Sequence, residues 1–254
     1  MRGNVSLGRG ARTLGAALCA CALLWSSTAG AESHAAGSTH AAPAAGAHAA
    51  PAHGTPPAPT PSAVLDRLIE GNQRFVSGKV KRDHQSAAYR HELAGGQHPI
   101  ATILGCSDSR VPVEMVFDQG FGDLFVIRVA GNVVGTYVLG SVEYAVQHLH
   151  TPLVVVMGHE SCGAVTSALL SAEDRSHEAQ AIQDLLSQVG PALKDLDPKL
   201  SQAERVHQGV EANVRQSVRQ LQAATELMHP HEGAAPTIVG AVYNLDTGTV
   251  RFLK

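Results

Sequence analysis

The sequence predicts an α/β domain: a central, mainly parallel sheet flanked by helices and preceded by an N-terminal helical arm. Two observations carry this. Short apolar, β-branched runs recur at 100–104, 124–129, 153–157 and 237–243, as in strands covered on both faces. Segments with helical spacing separate the runs, and such alternation marks a parallel sheet.

Order begins at Ser62, a capping residue for a helix over 63–77. Val64, Leu65, Leu68, Ile69 and Phe75 share one side of it, and Gly78 ends it. Residues 83–94 read as a helix with little apolar face, stopped by Gly95-Gly96. The strand 100–104 follows, then a turn or short helix at 112–117, then the strand 124–129. A loop over 131–135 leads into a helix over 136–149, with Val138, Leu139, Val142, Ala145, Val146 and Leu149 on one side. Pro152 precedes the strand 153–157, and a helix starts near Ser161. Residues 176–196 and 200–228 read as two further helices. A strand (237–243), a turn at Asp246-Thr247-Gly248 and a last strand (249–253) complete one domain over 62–254.

The residues before that domain differ in kind. Arg2, Arg9 and Arg12 precede an apolar run from Leu14 to Trp25, and Ala29-Gly30-Ala31 offers a small-x-small cleavage site. Residues 1–31 are therefore expected to be a secretory signal, since 12 apolar residues fall short of the roughly 20 needed to span a bilayer. No membrane span is expected. Export to a bacterial periplasm is the reading, with a lipid anchor at Cys21 as the lesser alternative. Residues 32–61 are Ala, His, Pro, Gly, Thr and Ser almost throughout, a composition that cannot bury a core and reads as a disordered linker. His34, His40, His48 and His53 lie in it at wide spacing and read as incidental.

Without the three signal arginines the chain has 16 Lys+Arg against 22 Asp+Glu. That balance argues against a polyanion partner, so no nucleic acid is expected. Cleavage after Ala31 removes Cys19 and Cys21 and leaves Cys106 and Cys162. In an oxidising compartment two cysteines suggest a disulfide, and their surroundings must decide.

Those surroundings are Gly105-Cys106-Ser107-Asp108-Ser109-Arg110 and Gly158-His159-Glu160-Ser161-Cys162-Gly163, each directly after an apolar run. Ligands in parallel α/β sheets sit beyond the carboxyl ends of strands. His159 and Cys162 are spaced so that an imidazole comes from a strand end and a thiolate from the opening turn of a helix, where backbone N–H groups favour it. Two cysteines and a histidine suit zinc and leave one position free, the pattern of a catalytic site. Asp108 and Arg110 read as an ion pair beside it.

These motifs resemble those of the β-class carbonic anhydrases. The likeness continues through Gly71-Asn72-Gln73-Arg74-Phe75, the run from Gly122 to Arg128, Ala130-Gly131-Asn132 and Glu143-Tyr144-Ala145-Val146, and covers about residues 62–254. The resemblance implies one zinc per chain on Cys106, His159 and Cys162, with water or hydroxide in the fourth position. It implies that Asp108 orients the hydroxide and that Arg110 keeps Asp108 ionised and off the metal. It also implies a substrate pocket of Gln97, Phe125 and Tyr144, with Tyr144 a candidate for donation by a partner subunit. The implied reaction is reversible hydration of carbon dioxide to bicarbonate, in a homodimer or tetramer. Two thiolates cancel the zinc charge, so activity is expected to rise on the alkaline side. His148 and His150 are weaker candidates for a proton shuttle, and Glu160 reads as solvated. The rival readings are a periplasmic thiol protein with a Cys106–Cys162 disulfide, and a zinc-binding protein on the same fold without turnover.

Overall fold

The computed structural model describes residues 59–231 and 233–254. The expected signal (1–31) and most of the expected linker (32–61) lie outside the described residues. Helix α1 (Pro61–Val76) opens the described chain. Thr60, rather than Ser62, caps it by accepting from the Ala63 N–H at 3.3 Å. The cap moves because Pro61 suits the first helical position, where no N–H is needed.

Helix α2 spans only Ala87–Glu92 within the expected 83–94. Arg82 and His84 both have φ of 58°, a left-handed conformation that no right-handed helix can include, so the helix starts at the Ser86 cap. Strand β1 (Ala101–Gly105) and helix α3 (Val113–Val116) follow. Next come strand β2 (Leu124–Arg128), a 3-10 turn at Ala130–Asn132, and helix α4 (Thr136–Leu149). Strand β3 (Leu153–His159) runs two residues beyond its apolar run. Helix α5 is Gly163–Ala168. The expected helix over 176–196 is instead α6 (Ala172–Ser176), α7 (Gln180–Val189) and a 3-10 turn carrying Pro191. The expected long helix is α8 (Gln202–Gln222), opened by a Ser201–Glu204 capping box, and then α9 (Thr225–Met228). Strands β4 (Thr237–Tyr243) and β5 (Val250–Phe252) close the chain.

The strands form one sheet in the order β2-β1-β3-β4-β5, parallel except for the antiparallel β5. Alternation along each strand divides the core in two. Leu104, Val154, Val156 and Val242 face α4, α5, α7 and α8, while Ile103, Val155, Met157 and Ala241 face α1 and α3. With both faces covered, β1 and β3 are buried along their whole length, whereas β2 is a half-buried edge.

Helix α1 is fastened by polar groups as well as by Val64 and Leu68. Asn72 donates to the carbonyls of Val116 (3.1 Å) and Gly248 (2.9 Å) and accepts from the Val250 N–H at 2.8 Å. Arg74 pairs with Asp118 at 2.6 Å. A Cβ on Gly71 would stand 1.9 Å from the Phe117 carbonyl oxygen, so glycine is what lets α1 lie this close. No helix among the described residues is long and apolar enough to cross a membrane.

Candidate metal centre

The parallel register of β1 with β3 aligns Gly105 with Met157, so both strands deliver their carboxyl ends to one place. Cys106 follows Gly105 directly, and His159 is the last residue of β3. Between His159 and Cys162 the chain turns through Ser161 at φ 54°, which sets Cys162 as the N-cap of α5. The ligating atoms of Cys106, His159 and Cys162 lie within 4.8 Å of one another, and all three residues are buried. Both cysteines are free thiols.

The donor chemistry is that of a metal site. His159 Nδ1 lies 2.9 Å from the Glu160 carbonyl oxygen, to which it donates as an N–H. That bond leaves Nε2 as the lone-pair nitrogen. Nε2 is buried without any hydrogen-bond partner, beside two sulfurs. A buried orphan of this kind calls for an explanation, and a soft cation bound by two sulfurs and one nitrogen provides it.

Charge points the same way. The adjacent Cys162, together with His159 and the backbone N–H of Gly131, outweighs burial and lowers the Cys106 pKa. The proximity of Cys106, together with burial, pushes Cys162 up. Burial opposes a charge on His159, but the neighbouring Cys106 raises its pKa overall. The protein's own groups thus favour one thiolate over two, and a cation bound in the cluster would favour the second.

Asp108 stands beside the cluster, its Oδ2 3.7 Å from His159 Nε2. Arg110 donates from Nε to Oδ1 (2.9 Å), from Nη2 to Oδ2 (2.7 Å) and from its backbone N–H to Oδ1 (3.0 Å). This two-pronged grip holds the Asp108 carboxyl well below the usual carboxylate range.

Four further contributors have no role assigned to them from the sequence. Arg128, at the end of β2, donates to the backbone carbonyls of Cys106 (2.9 Å) and Asp108 (2.6 Å) and braces their loop. Gly131, at φ 69°, directs its N–H to Cys106 Sγ at 3.3 Å. Asn213 and Ser217 on α8 hold that turn by donating to the carbonyls of Gly131 (2.7 Å) and Asn132 (3.0 Å). Their one visible signal is polarity on a helix face otherwise made of Val210, Val214 and Leu221. Glu160, expected to be solvated, accepts from Asn244 Nδ2 at 2.9 Å and ties the turn after β3 to the turn after β4.

The expected pocket residues sit elsewhere in the chain. Phe125 and Tyr144 meet, ring centroids 6.2 Å apart, and His148 lies 5.0 Å from the Tyr144 ring. Phe125 is in the first half of β2, paired with Thr102, well before the strand end that carries Arg128. Gln97 is exposed on the loop before β1. These three thus belong to the amino-terminal side of the sheet, opposite the metal cluster.

Comparison with known proteins identifies the family. The sequence profile for carbonic anhydrase matches residues 101–250. Carbonic anhydrase 2 of Mycobacterium tuberculosis is 42% identical over 189 residues, which are 74% of this chain and 90% of that protein. The carbonic anhydrase of Mycolicibacterium smegmatis is 39% identical over 75% of this chain and 92% of its own. Among solved structures, the β-carbonic anhydrase of Coccomyxa in complex with acetazolamide superposes with a TM-score of 0.61 at 28% identity, covering 74% of this chain and 86% of that one. With its parallel sheet and its Cys-His-Cys cluster at the strand ends, the chain belongs to the β-class carbonic anhydrases.

Proposed function

We propose that the chain holds one zinc ion through Cys106 Sγ, His159 Nε2 and Cys162 Sγ and uses it in the reversible hydration of carbon dioxide, the general reaction of its family. One observation carries this reading: a buried imidazole nitrogen with no hydrogen-bond partner lies within 4.8 Å of two buried free thiols. When bound, zinc supplies Lewis acidity that makes hydroxide chemistry accessible near neutral pH.

The chain's own groups set the geometry. The Gly131 N–H supports the Cys106 thiolate. Arg110 occupies both oxygens of Asp108, so the carboxylate stays ionised and is kept from closing the site as a fourth protein donor. Held there, Asp108 accepts a hydrogen bond from the reacting water and orients its lone pair towards carbon dioxide. Arg128 fixes the two carbonyls that flank this arrangement.

The carbon dioxide pocket is assigned to Gln97, Phe125 and Tyr144, completed across a homodimer. Phe125 precedes Arg128 by three residues, about 10 Å at ~3.3 Å per strand residue. Tyr144 lies eight residues into α4, about 12 Å at ~1.5 Å per helical residue. Both are too far down the sheet to serve their own cluster. Strand β2 has a free edge, and two-fold antiparallel pairing of that edge would carry Phe125 and Tyr144 of one copy towards the strand ends of the other. Residues 1–31 are assigned as a signal for export to the periplasm. The mass of the mature amino terminus tests that assignment, and an acylated Cys21 would replace it with a lipid anchor.

Zinc per chain, measured beside carbon dioxide hydration, tests the central reading. One zinc is expected, and Cys162→Ser should lose zinc and activity together. Full activity without zinc would refute it.

A further inference from the structure

Away from the metal cluster, a cavity of about 490 Å³ opens between the end of α5, α6, α7 and the start of α8. None of Cys106, Asp108, His159 and Cys162 lines it. Arg175, Lys194 and Arg205 do, over a floor that includes Leu186 and Leu193. Its volume lies in the range of small-ligand sites.

The three cations are uncompensated. Among the described residues none of them forms an ion pair with a carboxylate. Asp174 and Asp184, on the helices that wall the cavity, are engaged along their own helices by Ser171 (2.7 Å) and Gln180 (2.8 Å). Arg205 Nε is buried and has no hydrogen-bond partner, although buried polar groups in folded proteins are paired almost throughout. Arg175 donates from Nη1 to the carbonyls of Ala168 and Leu170, which fixes the guanidinium at the cavity wall. One guanidinium is thus held in place, another belongs to a half-buried arginine whose buried Nε is an unsatisfied donor, and a lysine adds a third positive charge.

We propose that this cavity is a binding site for a dianionic oxyanion of the phosphate class, either inorganic phosphate or a small phosphate monoester. Guanidinium groups present fixed donors that match phosphate oxygens, and an ammonium adds a mobile charge. Three positive charges exceed what a single carboxylate balances, which selects a dianion over a monocarboxylate. The apolar floor accommodates a short organic body. The cavity begins at Ala168 and Leu169, where the helix capped by Cys162 ends, so an occupant would rest on the far end of the element that positions a metal ligand.

The test is calorimetric titration of the metal-loaded protein with inorganic phosphate at about pH 8, where phosphate is dianionic, with ionic strength held constant by sodium chloride. One phosphate per chain is expected, with acetate at least tenfold weaker. A phosphate monoester that binds as well as phosphate or better would show that the floor takes an organic body, and one that binds more weakly would identify free phosphate as the ligand. Arg205→Gln and Lys194→Gln should each weaken phosphate at least tenfold while carbon dioxide hydration stays at the wild-type level. Because Lys194 makes no hydrogen bond among the described contacts, its variant guards against misfolding of the Arg205 variant. No phosphate binding in the millimolar range, equal binding of acetate, or binding that survives both substitutions would overturn the proposal.

Discussion

Arg128 Nη2 donates to the backbone carbonyl of Asp108 at 2.6 Å, and the same guanidinium reaches the carbonyl of Cys106 through Nε at 2.9 Å. One side chain at the edge of the sheet therefore sets the spacing between Cys106, a proposed metal ligand, and the carboxylate beside it. Lysine keeps the charge but cannot reproduce the fork. Arg128→Lys is expected to retain zinc and lose hydration activity by about 10–100-fold, the usual penalty for losing support around a metal site. Metal content and kcat measured on one preparation check this, and unchanged kcat would show the brace to be dispensable.

The placement of Phe125 and Tyr144 leads to a mixing experiment. Phe125→Ala and Asp108→Asn should each be nearly inactive alone. Unfolded together and reassembled, they should recover about one quarter of wild-type activity, because half the dimers are mixed and each mixed dimer has one complete site. If Phe125 serves its own chain, the mixture stays as inactive as its parts.

Asp118 supplies a pH-dependent contribution to stability. Burial works against its charge, but hydrogen bonds from Arg74 and from the Lys81 and Arg82 N–H groups outweigh it, and its pKa ends below the ordinary value. A depressed carboxylate stabilises the fold above its unfolded pKa of about 3.9, and that contribution is lost as pH falls through the folded value. Thermal melts of wild type and Asp118→Asn should therefore differ most near neutrality and converge in acid. A constant gap would exclude ionisation as the cause.

Asn213 is the buried donor to the Gly131 carbonyl. Asn213→Leu leaves that oxygen without a partner, at an expected cost of about 1–3 kcal/mol. Urea unfolding measures it. The same variant should bind zinc more weakly, because the Gly131 N–H that supports Cys106 loses its anchor.

What could be read from the sequence, and what could not, follows from how far each interaction reaches along the chain. Cys106, His159 and Cys162 were legible because each lies at the end of an apolar run that could only be a buried strand or the turn after it. Helix α4 was legible to the residue, since its spacing and its flanking Gly135 and Pro152 are local. The start of α1 was missed by two residues because Thr60 and Ser62 are equally good caps and only Pro61 distinguishes them. Arg82 and His84 gave no sign of positive φ, and the break between α6 and α7 has no proline to mark it. Arg128, Asn213 and Ser217 act on backbone carbonyls 20 to 85 residues away. A side chain bound to a distant carbonyl leaves no pairing pattern for a single sequence to show.

Asn72 joins the two ends of the domain. Its amide touches the last residue of α3 and, at Gly248 and Val250, the stretch that leads from the turn into β5, across as many as 178 positions of chain. Helix α1, made early in synthesis, can dock fully only after the last strand has emerged, so the domain cannot finish folding while its carboxyl terminus is still in the ribosome. A clip or fusion near Phe252 should for the same reason be felt at Pro61, as faster amide exchange in a helix almost two hundred residues away.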